Sequence, residues 1–236
     1  MIAGADRPHP WISEALASAG DYPVRVIDRC LPGGLGAARA MAIESSRAEY
    51  IAWLDSDDRV ISSAIPMLLG AIGAGDVGAF GNEISINAQG QQIGAGATTG
   101  AEPWRPLKMI HDVPYGRHLA IFRRDAALPF LDQLAQAQHG LEVWVLRCLL
   151  ASAGNWVHVA ADSYQHRKHG DNTGKLGAAG YARHAVELSP LLVRANRRIN
   201  AKPTANLQSK PACPTCSKVR AALGPVGRVL DRLIPI

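Results

Sequence analysis

The sequence is poor in the features that would place it in a membrane, a fibre or a disulfide-stapled scaffold. No uninterrupted apolar run approaches the ~18–20 residues that a spanning helix needs. The opening Met1-Ile-Ala-Gly-Ala-Asp6 has no basic stretch leading into an apolar one, so it does not read as a secretory leader. No internal repeat is visible, which removes solenoids and propellers. Four cysteines are spread over 236 residues. Cys30 and Cys148 sit in apolar segments and read as core thiols. Cys213-Pro-Thr-Cys216 is a lone C-x-x-C without the second ligand pair a structural zinc site requires, so these two read as reduced thiols in a loop. Cytoplasmic residence is the default for such a chain.

What is present is an ordinary globular composition, 47% hydrophobic and 19% charged. The length suits one α/β domain with an appendage. Charge is uneven. Residues 164–236 carry 13 basic residues and three acids, whereas the first 163 carry 12 basic residues and 17 acids. An acidic body with a basic tail points to an anionic partner for the tail.

Val24-Arg-Val-Ile-Asp28 reads as a buried strand, Leu31-Pro-Gly-Gly-Leu-Gly36 as a breaker-rich loop, and residues 37–46 as a helix. Tyr50-Ile-Ala-Trp-Leu54 reads as a strand running straight into Asp55-Ser-Asp-Asp58. Ser62 or Ser63 is placed to cap a helix reaching about Ile72. Residues 78–93 read as two strands joined at Asn87-Ala-Gln-Gly90, residues 94–118 as a long loop, and His118–Arg123 as a strand. Glu142–Ser152 forms a helix on pattern, Trp156–Ala160 a last strand, and the chain is helical from Gly180, with a break near 202–214. Strand and helix in alternation imply an α/β fold with a mostly parallel sheet flanked by helices. The domain is expected to span residues 1–178, and a basic helical extension residues 179–236.

The sharpest chemical feature is Asp55, Asp57 and Asp58 directly after an apolar strand. Parallel sheets bind ligands at the carboxyl ends of their strands. Carboxylates this close need a compensating cation or full solvation, and Mg2+ or Mn2+ completed by substrate phosphates supplies one. A solvated acidic turn is the alternative on residue type alone. Gly34-Leu-Gly36-Ala-Ala-Arg39 partly mimics a dinucleotide fingerprint, but Arg39 stands where the third glycine belongs.

Several stretches together resemble the family 2 glycosyltransferases of the GT-A fold: Gly36-Ala-Ala-Arg39, Glu49-Tyr-Ile-Ala-Trp-Leu-Asp-Ser-Asp-Asp58, Leu119-Ala-Ile-Phe-Arg-Arg-Asp125, Glu142-Val-Trp-Val-Leu-Arg147 and Tyr164-Gln-His-Arg-Lys-His-Gly-Asp-Asn172. The resemblance covers roughly residues 1–175. It implies transfer of a sugar from a nucleotide-diphosphate sugar to an acceptor hydroxyl, metal-dependent and inverting. The departing diphosphate gathers negative charge that a divalent ion neutralises. By that resemblance Asp6, Arg39 and Asp55 face the nucleotide, and Asp55, Asp57 and His169 hold Mn2+ or Mg2+. Asp58 supports the turn, and Arg167 and Lys168 add positive charge, with His166 nearby.

The family's proton acceptor is the Asp of an E-D pair, and here that position is Val143. Glu142 is then the candidate base, with Asp132 and His139 behind it. The family's first strand precedes its early acid, and this chain begins around that acid, so the first strand is expected to be absent. A degenerate, non-catalytic GT-A binding protein and a nucleotidyl- or phosphotransferase therefore remain as alternatives. The acceptor class stays open among glycan, lipid-linked and small-molecule hydroxyls. Ser217–Ile236 is a basic amphipathic segment suited to an anionic membrane surface, which would make the protein peripheral on the inner face. Nucleic acid is not an expected partner, because the tail lacks interleaved aromatics.

Overall fold

The computed structural model describes residues 2–5, 17, 20–21, 23–28, 34–96, 98–111, 119–137, 140–169 and 178–200. Asp6, Cys30, His139, Cys213, Cys216 and the amphipathic segment 217–236 lie outside the described residues.

The chain opens with β1 (Ile2–Ala5), which pairs in parallel with β2 (Arg25–Asp28) from Ile2↔Arg25 to Ala5↔Asp28. A strand directly ahead of Asp6 was not among the sequence expectations. Helix α1 (Gly34–Ser45) follows and begins three residues earlier than its propensity suggested. Then come β3 (Tyr50–Ala52), β4 (Arg59–Val60), α2 (Ala64–Ala71), β5 (Asp76–Ile86), β6 (Gln92–Ala95) and the short α3 (Lys108–His111) inside the expected long loop. The order continues with β7 (Ala120–Arg123), α4 (Arg124–Ala127), a 3-10 turn over Leu128–Phe130, α5 (Leu131–Ala135), α6 (Glu142–Ala153), β8 (Asn155–Arg167) and α7 (Ala178–Asn200).

The α/β architecture stands, but the six-stranded sheet is mixed rather than mostly parallel. Its order is β3-β7-β5-β8-β4, with β6 on β5. The β5–β8 pair is parallel, because the helical crossover α4–α6 separates its strands. The β3–β7, β5–β7, β4–β8 and β5–β6 pairs are antiparallel. Alternation of strands and helices along the chain does not reveal that β7 inserts in reverse between β3 and β5.

β8 runs seven residues past the expected Ala160. The residues beyond it are mostly polar and show no apolar run. They stay extended because β5 and then β4 take up their backbone groups, with Glu83↔Tyr164, Ser85↔His166 and Val60↔Tyr164 in register. The parallel β5–β8 pair brings Ile84–Ile86 and Gln165–Arg167 out at the same sheet end. β4 lies antiparallel beside that end, so the acidic turn joining β3 to β4 is delivered there.

The two sheet faces carry separate cores. Phe80, Phe122, Trp144, Leu146, Leu150, Trp156 and Leu192 gather on one, and Leu68, Ala79, Leu119, Ile121 and Tyr164 on the other. α6 is buried nearly all round, including Trp144, Val145, Cys148 and Ala151, since the sheet covers one side and α7 the other. α7 thus joins the main core rather than standing apart from it. Arg198 of α7 closes the end of α6, donating to the carbonyls of Ala151 (3.0 Å), Ser152 (3.3 Å) and Gly154 (2.7 Å). These are carbonyls a helix end leaves without intrahelical partners. Cys148 is a buried reduced thiol, as its setting implied, and burial pushes its thiol up despite Arg147. Ser63 precedes α2 but makes no side-chain cap bond, because its backbone is already helical.

Gly78 is a steric necessity. A Cβ there would meet the Ile121 carbonyl at 2.3 Å and the Trp156 ring at 2.7 Å, where β5 is squeezed between β7 and β8. Gly70 in α2 has open space around it. Gly78→Ala should therefore lower stability by ~1–3 kcal/mol through overpacking. Gly70→Ala should raise it by up to ~1 kcal/mol through helix propensity. Urea denaturation of the two variants checks both signs.

Candidate functional site

The turn after β3 is held by a buried hydroxyl. The Asp58 N–H donates to the Asp55 carbonyl at 3.1 Å and closes the turn. The Tyr164 hydroxyl, reaching across from β8, donates to Asp58 Oδ2 at 2.8 Å and accepts from the Asp55 N–H at 3.3 Å. The other Asp58 oxygen accepts from the Arg167 N–H at 2.6 Å. The Arg167 side chain wraps the same turn, donating to the carbonyls of Asp57 (2.7 Å), Asn87 (2.9 Å) and Ala88 (2.7 Å). Burial and the neighbouring carboxylates drive the Tyr164 hydroxyl far above its ordinary value, so it keeps its proton and remains the donor. Burial also raises the Asp58 carboxyl, an effect its two hydrogen bonds only partly offset.

Asp55 faces the opposite way. Its Oδ1 accepts from Arg39 Nη2 at 2.9 Å, and Arg39 Nη1 lies 3.7 Å from Glu142 Oε2. Arg39 is only 8% exposed, with its guanidinium 5.6 Å from the centre of the Trp53 ring. Gly36 permits this strut, since a Cβ there would strike the Leu134 carbonyl at 2.3 Å and the Glu142 side chain at 3.3 Å. The bulk of Arg39, which argued against a dinucleotide fingerprint, is used as a buried tie between α1, the turn and α6.

Asp57, with a side chain as exposed as that of Asp55, pairs with a histidine. Its Oδ2 lies 2.7 Å from His169 Nε2, and the two side chains are 40% and 30% exposed. Partial burial pulls the Asp57 carboxyl up, but the bond from His169 and its charge, aided by a backbone hydrogen bond and by His166, outweigh it and leave the group below its ordinary value. Beyond it stand His166, with Nδ1 3.1 Å from Glu83 Oε1, and Lys168, whose Nζ is 3.0 Å from the same ring nitrogen.

The three aspartates therefore do not converge. Each takes a different partner, and no group of three or more His, Cys, Asp or Glu side chains gathers around a common point among the described residues. The expected gathering of the trio about one cation is not seen among the described residues, where of the expected ligands only Asp57 and His169 are in contact. Asp55, read as both nucleotide- and metal-facing, is turned to Arg39. Glu142, read as the base, is 1% exposed at the start of α6 and directed at Arg39, out of reach of an acceptor. Asp132 is exposed on α5, away from these contacts.

Tyr164 and Glu83 were not singled out as site residues by sequence. A carboxylate in the interior of the long strand β5 was a signal for Glu83. Tyr164→Phe removes the donor to Asp58 and the acceptor for the Asp55 N–H, which should cost ~1–3 kcal/mol. In an ultraviolet titration, Tyr164→Phe should leave the absorbance step in the ordinary tyrosine range unchanged, because Tyr164 ionises only above that range.

Comparison with known proteins bears on this geometry. The family model described as "Glycosyl transferase family 2" matches residues 6–127. No curated protein sequence matches the chain. Among solved structures, residues 1–349 of S. aureus TarS superpose with a TM-score of 0.57 at 12% identity, covering 99% of this chain and 73% of that one. The UDP complex of the same fragment gives 0.56 at 13%, covering 99% and 71%. GalNAc-T7 with UDP, GalNAc and Mn2+ gives 0.54 at 13%, covering 94% of this chain and 48% of that one. These likenesses establish the shared GT-A fold. With over half its length matched by the family model and the acidic turn inside the matched span, the chain belongs to glycosyl transferase family 2.

Proposed function

We propose that the protein transfers a sugar from a nucleotide-diphosphate sugar to an acceptor hydroxyl, with inversion, and with a divalent ion at the Asp57–His169 pair. The observation that carries this reading is the convergence of the closing stretch Tyr164–His169 on the turn Asp55–Asp58. The carboxylate suits either Mn2+ or Mg2+, and the imidazole favours Mn2+ of the two, once the 2.7 Å hydrogen bond between them opens. An outward carboxylate beside an imidazole, both partly exposed, offers two ligands, and diphosphate oxygens would complete the shell. Bound there, the ion would neutralise charge on the departing diphosphate.

The remaining residues prepare the site. Tyr164 and Arg167 hold the turn so that Asp57 projects from it. Arg39 ties Asp55 to α6, and Glu142 acts as the buried counter-ion that orients Arg39, a positioning role. Lys168 is exposed next to this cluster and adds positive charge to it. Asp6 is assigned the nucleotide by family resemblance alone. UDP is the first nucleotide to test, since TarS and GalNAc-T7 have both been captured with it. No helix among the described residues is long and apolar enough to cross a membrane. A cytoplasmic location with residues 201–236 docking on an anionic inner leaflet rests on their basic composition. A lipid-linked acceptor would suit that location. The burial of Val143 and Glu142 favours one second reading, a GT-A protein that binds the nucleotide without turnover.

Calorimetry with UDP and release of UDP from a panel of UDP-sugars separate these readings. The transferase reading expects UDP binding strengthened by Mn2+ or Mg2+ and metal-dependent release. It also expects a loss on the order of 100-fold in Asp57→Ala, in line with removal of a metal-site residue. Metal-independent release unchanged in Asp57→Ala contradicts it, binding without release supports the second reading, and pyrophosphate as product points to nucleotidyl transfer.

A further inference from the structure

The proposed reaction needs a group to accept the acceptor's proton, and neither Val143 nor Glu142 serves. Val143 is buried and apolar, and Glu142 is sealed beneath Arg39. The carboxylate of Asp58 is taken by Tyr164 and Arg167, and that of Asp57 by His169.

Close by, the fold builds a carboxylate–imidazole pair. Glu83 on β5 is 1% exposed, and its Oε1 lies 3.1 Å from Nδ1 of His166 on β8. The carboxylate is closed in by design. Residue 96 crosses directly over it, where a Cβ would lie 2.5 Å from Glu83 Cγ, so that only glycine fits. The strand position is fixed by the Gly96 N–H to the Glu83 carbonyl (2.7 Å) and by the Glu83 N–H to the Thr98 carbonyl (2.8 Å). The His166 ring is 13% exposed and lies two residues beyond Tyr164 on the same strand, near enough that its charge acts on both Asp57 and Asp58.

We propose that His166, oriented by Glu83, is the proton acceptor of the transfer reaction, replacing the carboxylate lost at Val143. This rests on the transferase reading above. An ionised carboxylate accepts only, so Nδ1 carries the hydrogen toward Glu83 and Nε2 carries the lone pair. Lys168 also reaches Nδ1, but from an exposed and flexible stem, whereas Glu83 is walled in. A ring that accepted from Lys168 at Nδ1 would set a lone pair against the buried carboxylate. The groups facing the imidazole include Glu83 from β5, Lys168 beyond β8, and Asp57 and Asp58 from the turn.

In the step itself, the acceptor O–H gives its proton to Nε2 while its oxygen bonds to the anomeric carbon. The bond from that carbon to the diphosphate oxygen breaks, and the nucleoside diphosphate leaves with the electron pair. The imidazolium then returns its proton to solvent.

The test uses the full chain, Mn2+ and the UDP-sugar panel, with water or an added alcohol as acceptor. His166→Ala and His166→Gln should lower kcat for UDP release by about 100-fold or more, the usual scale of a positioned acid or base. The Kd for UDP should stay within about threefold, and added imidazole should restore part of the rate in His166→Ala. Nitrogen-15 NMR of the wild-type chain should show the His166 tautomer with hydrogen on Nδ1, and Glu83→Gln should disturb it. Wild-type kcat in both His166 variants, loss of UDP binding in step with kcat, or hydrogen on Nε2 overturns the assignment. If the wild-type chain binds UDP and releases none from any donor, the transferase reading falls and takes the base with it. Release that survives in the His166 variants removes the base alone.

Discussion

The arrangement depends on one buried hydroxyl. Tyr164 stands between the Asp58 carboxylate, to which it donates, and the Asp55 backbone N–H, from which it accepts. Burial keeps it protonated, so the two directions of the bond cannot exchange. The contact joins residues 106 and 109 positions apart in sequence, and it ties a short turn to the parallel pair at the centre of the sheet. A three-residue strand and a two-residue strand flank the turn, and neither could hold it unaided.

With the turn fixed, the carboxylates are kept apart by giving each a different solution to the same repulsion. Asp55 is neutralised by a buried arginine, Asp58 is enclosed by hydrogen-bond donors, and Asp57 is left at the surface with a histidine. The three side chains thus have different partners, and the proposed ligand role falls to the one paired with an imidazole. Glu142 fits the same scheme from behind, since a buried guanidinium between two carboxylates is held in one orientation. Preorganisation of this kind lets a site meet developing charge without rearranging.

Much of this was legible in the residues, and what was not has definable causes. The strand before Asp55-Ser-Asp-Asp58 and the helix carrying Arg39 follow from local pattern and turn chemistry. The order of motifs led to the family. The end of β8 escaped because its stability comes from neighbouring strands instead of its own hydrophobicity, and β7's reversed direction because chain order does not encode pairing. The single-clamp reading of the aspartates failed on a similar ground. Adjacent carboxylates look alike in sequence, and only tertiary partners such as Arg39, Tyr164 and His169 distinguish them. Glu142 looked like the candidate base, yet the Gly36 approach brings α1 onto α5 and the start of α6 and buries it.

Of the candidates around the turn, Asp57 and His169 are the proposed ligands of the ion, whereas Asp55 stays with Arg39. Pulsed electron paramagnetic resonance of Mn2+ bound with UDP tests it directly. The account predicts a single histidine nitrogen coupled to the ion, lost in His169→Ala and retained in Asp55→Asn. A manganese signal with no nitrogen coupling, or one that persists unchanged without His169, would contradict it.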